Sequence, residues 1–211
     1  MRPVTFVPTL AVFALVTFAA GSAVAGPPLV CFPFDIGTAH SLPWDSKSGH
    51  WKGMRGDYPV ARLTGDTLAL LTPATPVIVR METLRRAAIY ATKDAAAGRA
   101  LLETLLDRGR AKGADALASF DAGYLAATYA QLAPISPSTG ALAAGIDGYA
   151  LVETSLRRSP GDPALAFAAA IIAADSRRDV SAEHARVARA GAPGDVLLAQ
   201  NIDHLDQGVP R

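Results

Sequence analysis

From Pro59 to the C-terminal region the apolar residues of this chain recur at steps of three and four, and no stretch alternates as a half-buried strand would. That periodicity confines the fold class to all-α. Val60, Leu63, Leu68, Leu70 and Leu71 mark a short helix or two ending at Thr72-Pro73. Thr75 reads as an N-cap with Pro76 in the first helical position, opening a helix to about Thr92. Its inner stripe is Val77, Met81, Leu84, Ala88 and Ala91. Asp94 opens the next helix, with Ala97, Leu101, Leu102 and Leu105 inward and Arg108, Arg110 and Lys112 at its C-terminal end, where cations suit the helix dipole. A third long helix runs from Asp115 to Leu132, lined by Ala118, Ala122, Leu125, Ala126 and Tyr129. Residues 133–140, rich in proline and serine, read as a loop. Helices are expected after it at about 141–158, 163–175, 181–190 and 195–205.

Two turns in this helical region echo each other. Pro160-Gly161-Asp162-Pro163-Ala164-Leu165-Ala166 recurs 33 positions later as Pro193-Gly194-Asp195-Val196-Leu197-Leu198-Ala199. In each, the Pro-Gly ends one helix and the Asp caps the next. Ala87-Ala88-Ile89-Tyr90-Ala91 resembles Ala126-Ala127-Thr128-Tyr129-Ala130 at an offset of 39. Periods of this size mark helical repeats. On these residues, over roughly 76–205, the chain resembles the tetratricopeptide-repeat family. Small residues where paired helices would cross (Ala126, Ala169, Ala173), Tyr129 in a first helix, and Pro160 and Pro193 near unit ends carry the likeness. The family's first-helix tryptophan and Leu-Gly pair are missing, and the period drifts. The resemblance implies short antiparallel helical hairpins stacked as an array, with a concave surface for a protein or peptide.

The N-terminus has the parts of a secretory leader in order. Arg2 is the positive region, Leu10 to Ala20 is uncharged and apolar, and Gly21-Ser22-Ala23-Val24-Ala25 offers a small-residue cleavage site. Cleavage is expected after Ala25, and the membrane is met only through residues 1–25 before that cut. A spanning anchor would need ~20 apolar residues, which Pro8 and the small residues at 19–23 deny. A lipid-modified Cys31 is disfavoured, because Leu29 stands one place off and Val30 is too large for the preceding position. The expected location is therefore periplasmic or extracellular. The excess of arginine over lysine and the form of the leader point to a bacterial source. Loss of Arg2 leaves acidic and basic residues balanced, which removes any electrostatic pull toward nucleic acid. The single cysteine cannot close an internal disulfide, so the core alone must hold the domain.

Between leader and helices, residues 26–58 form a block rich in proline and glycine that also carries Phe32, Phe34, Trp44, Trp51 and Tyr58. Those aromatics are too dense for a disordered tether. A loop-rich aromatic arm packed on a helical domain at 59–211 is expected, with Trp44 substantially buried. Zinc-protease, thiol-redox, serine-hydrolase and phosphate-loop patterns are all missing, and no cofactor site is read. The best catalytic or metal-ligating set is Cys31, Asp35, His40, Asp45 and His50, which supports an alternative as a hydrolase or metal-dependent enzyme. Nine- and ten-residue spacings in a loop fix no geometry, however. The favoured expectation is a non-enzymatic scaffold for a protein or peptide. Its candidate binding face places Arg85, Arg86 and Tyr90, beside Arg80, on one helix and Tyr124 on the next, since arginine and tyrosine are enriched at binding hot spots.

Overall fold

Helix ends set most of the architecture. The computed structural model describes residues 26–45, 53–174 and 176–206, so the leader, His50 and Trp51 lie outside the described residues. Among the described residues the chain is all-helical: α1 (Pro28–Cys31), α2 (Leu63–Leu70), α3 (Val77–Tyr90), α4 (Ala95–Arg110), α5 (Ala118–Leu132), α6 (Pro137–Gly140), α7 (Gly148–Arg158), α8 (Pro163–Ala173), α9 (Arg178–Gly191) and α10 (Val196–Asn201), with short 3-10 turns between and after them. The only extended pairing among those residues is an isolated antiparallel bridge between Trp44 and Met54. None of the described helices is long and apolar enough to cross a membrane.

Four aspartates open helices by accepting first-turn amides. Asp94 binds Ala96 and Ala97, Asp147 binds Ala150, Asp162 binds Ala164 and Leu165, and Asp195 binds Leu198. Such a cap contributes about 0.5–2 kcal/mol. The two echoed turns thus cap alike, but only Gly161 adopts the left-handed φ of +80°. Thr75 is not the cap of α3. Its hydroxyl donates to Leu70 O and accepts from Thr72 N, leaving Pro76 at the N-cap position. The expected helix at 141–158 is shorter, because Gly145 (φ +76°) turns the chain and Asp147 starts α7 afresh. The 133–140 loop also winds through the single turn of α6.

Helices α3, α5 and α8 are buried on nearly every face. Helix α5 lies at the centre, against α3, α4, α7 and α8. Helix α9 covers α8, and α2 covers α3 and α4. Alanine and glycine permit these approaches. A Cβ at Gly123 would fall 2.5 Å from Gly148 O, and one at Gly148 would fall 2.5 Å from Gly123 O. The backbones of α5 and α7 therefore touch directly. Segment 28–42 contributes Leu29, Val30, Phe34, Ile36 and Leu42 to the same core. Trp44 is only half-buried, short of the burial expected for it, with its ring edge-on to Tyr90 at 6.0 Å.

Candidate functional site

Helix α3 presents charged side chains on turns that face the N-terminal segment, and they are interior. The Glu82 carboxylate accepts from Arg85 Nε at 2.7 Å and Nη2 at 2.8 Å, from Arg86 Nε at 2.7 Å and from the Phe34 amide at 3.1 Å. Arg85 Nη1 donates to Val30 O at 3.0 Å, and Arg86 Nη1 donates to Leu42 O at 2.7 Å. One turn on, the Tyr90 hydroxyl donates to Pro43 O at 2.6 Å and accepts from the Arg55 amide at 3.0 Å. Burial pushes the Glu82 carboxyl up, but Arg85 and Arg86 outweigh it and hold the group below the ordinary carboxylate range.

Other helices hold the same segment. Gln131 accepts from the Leu29 amide at 2.8 Å. Asn201 accepts from the Asp35 amide and donates to the Asp35 carbonyl, both at 2.8 Å, so one side-chain amide satisfies both main-chain groups of a loop residue. A loop without sheet partners must satisfy its buried N–H and C=O groups somewhere. Here side chains from α3, α5 and α10 do it.

The predicted binding face is therefore not an open groove. Arg85, Tyr90 and Tyr124 are fully buried, and only Arg86 keeps part of its side chain, 16%, in solvent. Arg80 is interior too, bonded to Asp121 at 2.6 Å, to Thr75 O and to Thr72 O. The physical reason is common to all three arginines: each finds a carboxylate and at least one main-chain carbonyl, which offsets the loss of water. Tyr124 is walled in on α5, with its hydroxyl unpartnered and its pKa raised by burial. Of the alternative set, Cys31 is half-buried while Asp35, His40 and Asp45 are exposed. Burial raises the Cys31 thiol pKa against the pull of Arg85, the reverse of what a thiolate nucleophile needs. Among the described residues no group of three His, Cys, Asp or Glu side chains is placed to hold a metal ion.

At the surface, where the segment crosses α2 and the end of α3, there is a shallow depression of ≈ 280 Å³. Pro43, Tyr58 and Pro59 line it together with Arg55, Asp57, Arg62 and Asp66. Arg55 pairs with Asp57 at 2.7 Å and Arg62 with Asp66 at 3.1 Å. Tyr58 donates to Asp66 at 3.0 Å and leans on Tyr90 with ring centroids 4.3 Å apart. Arg85 and Arg86 stand over the Trp44 ring at 4.9 and 5.6 Å. No family model, curated protein or solved structure matches the chain. The reading of function rests on this geometry.

Glu82, Asp121, Asn201 and His204 carry no local sequence signal that marks them as interior anchors. Asp121 has a pH signature. Burial drives its carboxyl up to about 6 against the opposing Arg80. Its folded pKa exceeds the unfolded value of ~3.9, so the folded state holds the extra proton between the two. That contribution is complete below about pH 4 and is lost as pH rises through 6. Unfolding free energies measured across that window should carry this falling component in the wild type, and Asp121→Asn should remove it. An unchanged slope in the variant would show that Asp121 does not titrate there.

Proposed function

We propose that the chain is an exported, non-enzymatic helical scaffold that binds a protein or peptide partner, docking it at the depression beside Tyr58. The carrying observation is a proline and tyrosine floor, rimmed by the exposed Arg55–Asp57 pair and by exposed Arg62 on half-buried Asp66, and set on a base fixed by Tyr90. At ≈ 280 Å³ the depression suits one or two partner side chains rather than a whole cofactor. Exposed ion pairs contribute only about 0–1 kcal/mol to folding, so they can exchange partners at little cost to the fold.

In this reading the α5–α7 and α8–α9 pairs are tetratricopeptide-like hairpins; the Pro160-Gly161-Asp162 turn leads from one pair to the other, and its echo at Pro193-Gly194-Asp195 leads from α9 into α10. Residues 26–58 are the aromatic arm that covers the array, and the leader at 1–25 directs export to the periplasm or beyond. The test is affinity capture from the exported fraction, with the wild-type chain beginning at Gly26 and its Arg55→Glu/Arg62→Glu variant as baits. A partner held by the wild type should be lost from the double variant while thermal stability is kept. Equal retention by both baits would remove the depression from the binding surface.

A further inference from the structure

Among the described residues, His204 occupies a setting unlike that of any other histidine. Its imidazole stacks on Phe34, with centroids 4.8 Å apart and planes 21° apart. Phe32 and Phe167 approach it at 6.4 and 6.5 Å in near-perpendicular orientation. One turn earlier, on the same side of the C-terminal segment, Asn201 holds both main-chain groups of Asp35. Together these two residues are the described hydrogen-bonding and aromatic link between residues 32–35 and 201–204.

We propose that His204 is an acid-opened latch, whose protonation loosens residues 32–36 and the C-terminal segment from one another. Three phenyl rings take water away from the imidazole, and an imidazolium needs that water more than the neutral ring does. The charges facing it divide. Glu82 on α3 and the adjacent Asp203 favour the cation, and Arg85 on α3 opposes it. Glu82, itself engaged by Arg85 and Arg86, is the strongest of these charges, and burial outweighs it. The Asp35 carboxylate is turned to the Gly37 amide at 2.8 Å. Burial leads these effects and lowers the His204 pKa. A lowered folded value means that the neutral ring's contribution is present above about pH 6.5 and is lost as pH falls below it. The proposal is independent of the docking site suggested above.

Hydrogen exchange of the mature chain, followed by mass spectrometry near pH 8 and near pH 5 and corrected for intrinsic rates, tests it. In the wild type, protection of peptides covering 32–36 and 196–206 should fall in acid by clearly more than that of the rest of the chain. Peptides from α5 should not follow to that extent. His204→Phe keeps an aromatic ring that cannot titrate and should stay protected at both pH values, while His184→Phe should behave as the wild type. Equal wild-type protection at both pH values, or an acid loss in His204→Phe matching the wild type, overturns the latch. Should the variant not fold, titration of the His204 ring by C2-proton exchange in the wild type decides: a pKa above 6.5 overturns the proposal.

Discussion

Replacing Glu82 by alanine is expected to destabilise the chain by about 3–5 kcal/mol, the range for removing one partner of a buried ion pair. The carboxylate is fully buried and neutralises Arg85, itself wholly inside, and Arg86, mostly inside. Without it two guanidiniums keep the Val30 and Leu42 carbonyls and the Trp44 ring but lose their carboxylate, and the Phe34 amide loses its acceptor. At about 2–4 °C per kcal/mol for a chain of this size, the melting temperature should drop by on the order of 10 °C. Urea titration supplies the free energy. The exposed Arg62–Asp66 pair is the contrast, and breaking it with Arg62→Ala should cost under about 1 kcal/mol. A loss from Glu82→Ala no larger than that would mean the arginines reach water and the cluster is not sealed.

The second large effect belongs to the crossing of α5 and α7. Gly123→Ala would place a methyl group 2.5 Å from Gly148 O, 2.7 Å from Leu151 Cβ and 2.9 Å from Val152 N. Two of those atoms are backbone, so relief requires the helices to separate. Overpacking of this kind costs about 1–3 kcal/mol, against a helix-propensity gain near 1 kcal/mol for leaving glycine. Net destabilisation is expected. Gly65, in α2, has nothing within 4 Å of a built Cβ, and Gly65→Ala should stabilise by about 0.5–1 kcal/mol. Because Gly123 and Gly148 guard the same contact, the double alanine variant should cost less than the two single changes combined. Denaturation midpoints of the wild type and the four variants test the set, and a stabilising Gly123→Ala would show that the crossing has room to spare.

How far the sequence announces this structure depends on the reach of each interaction. Asp94, Asp162 and Asp195 cap amides two or three residues away, and their helices were legible from local pattern alone. The all-helical class was legible for the same reason. The i, i+3 and i, i+4 charges of Glu82, Arg85 and Arg86 were visible too, but that spacing is shared by surface pairs and buried ones. What decides between them is the carbonyls of Val30, in α1, and Leu42, in the loop after it, 55 and 44 residues away in the chain. The Arg80–Asp121 pair spans 41 residues and was hidden likewise. The setting of His204 was hidden because nothing near it in sequence hints that Phe34 and Phe167 come to meet it. The depression beside Tyr58 was illegible for a further reason: it is formed by the crossing of segments, and no motif encodes a crossing.

The grip of Asn201 on Asp35 joins residues 166 positions apart. During synthesis, residues 28–36 are made early, yet their partner at position 201 is made late. Helices α3 to α5 can assemble as they emerge, since their contacts are comparatively local. The N-terminal stretch cannot be fastened at Asp35 until the ribosome has passed residue 201. Until then the apolar side chains of Phe34 and Ile36 lack their full cover, a state open to holding proteins or to aggregation. Biosynthetic order thus makes the fastening of Asp35 by Asn201 a late contact, one that ties an early-made stretch to a late-made one.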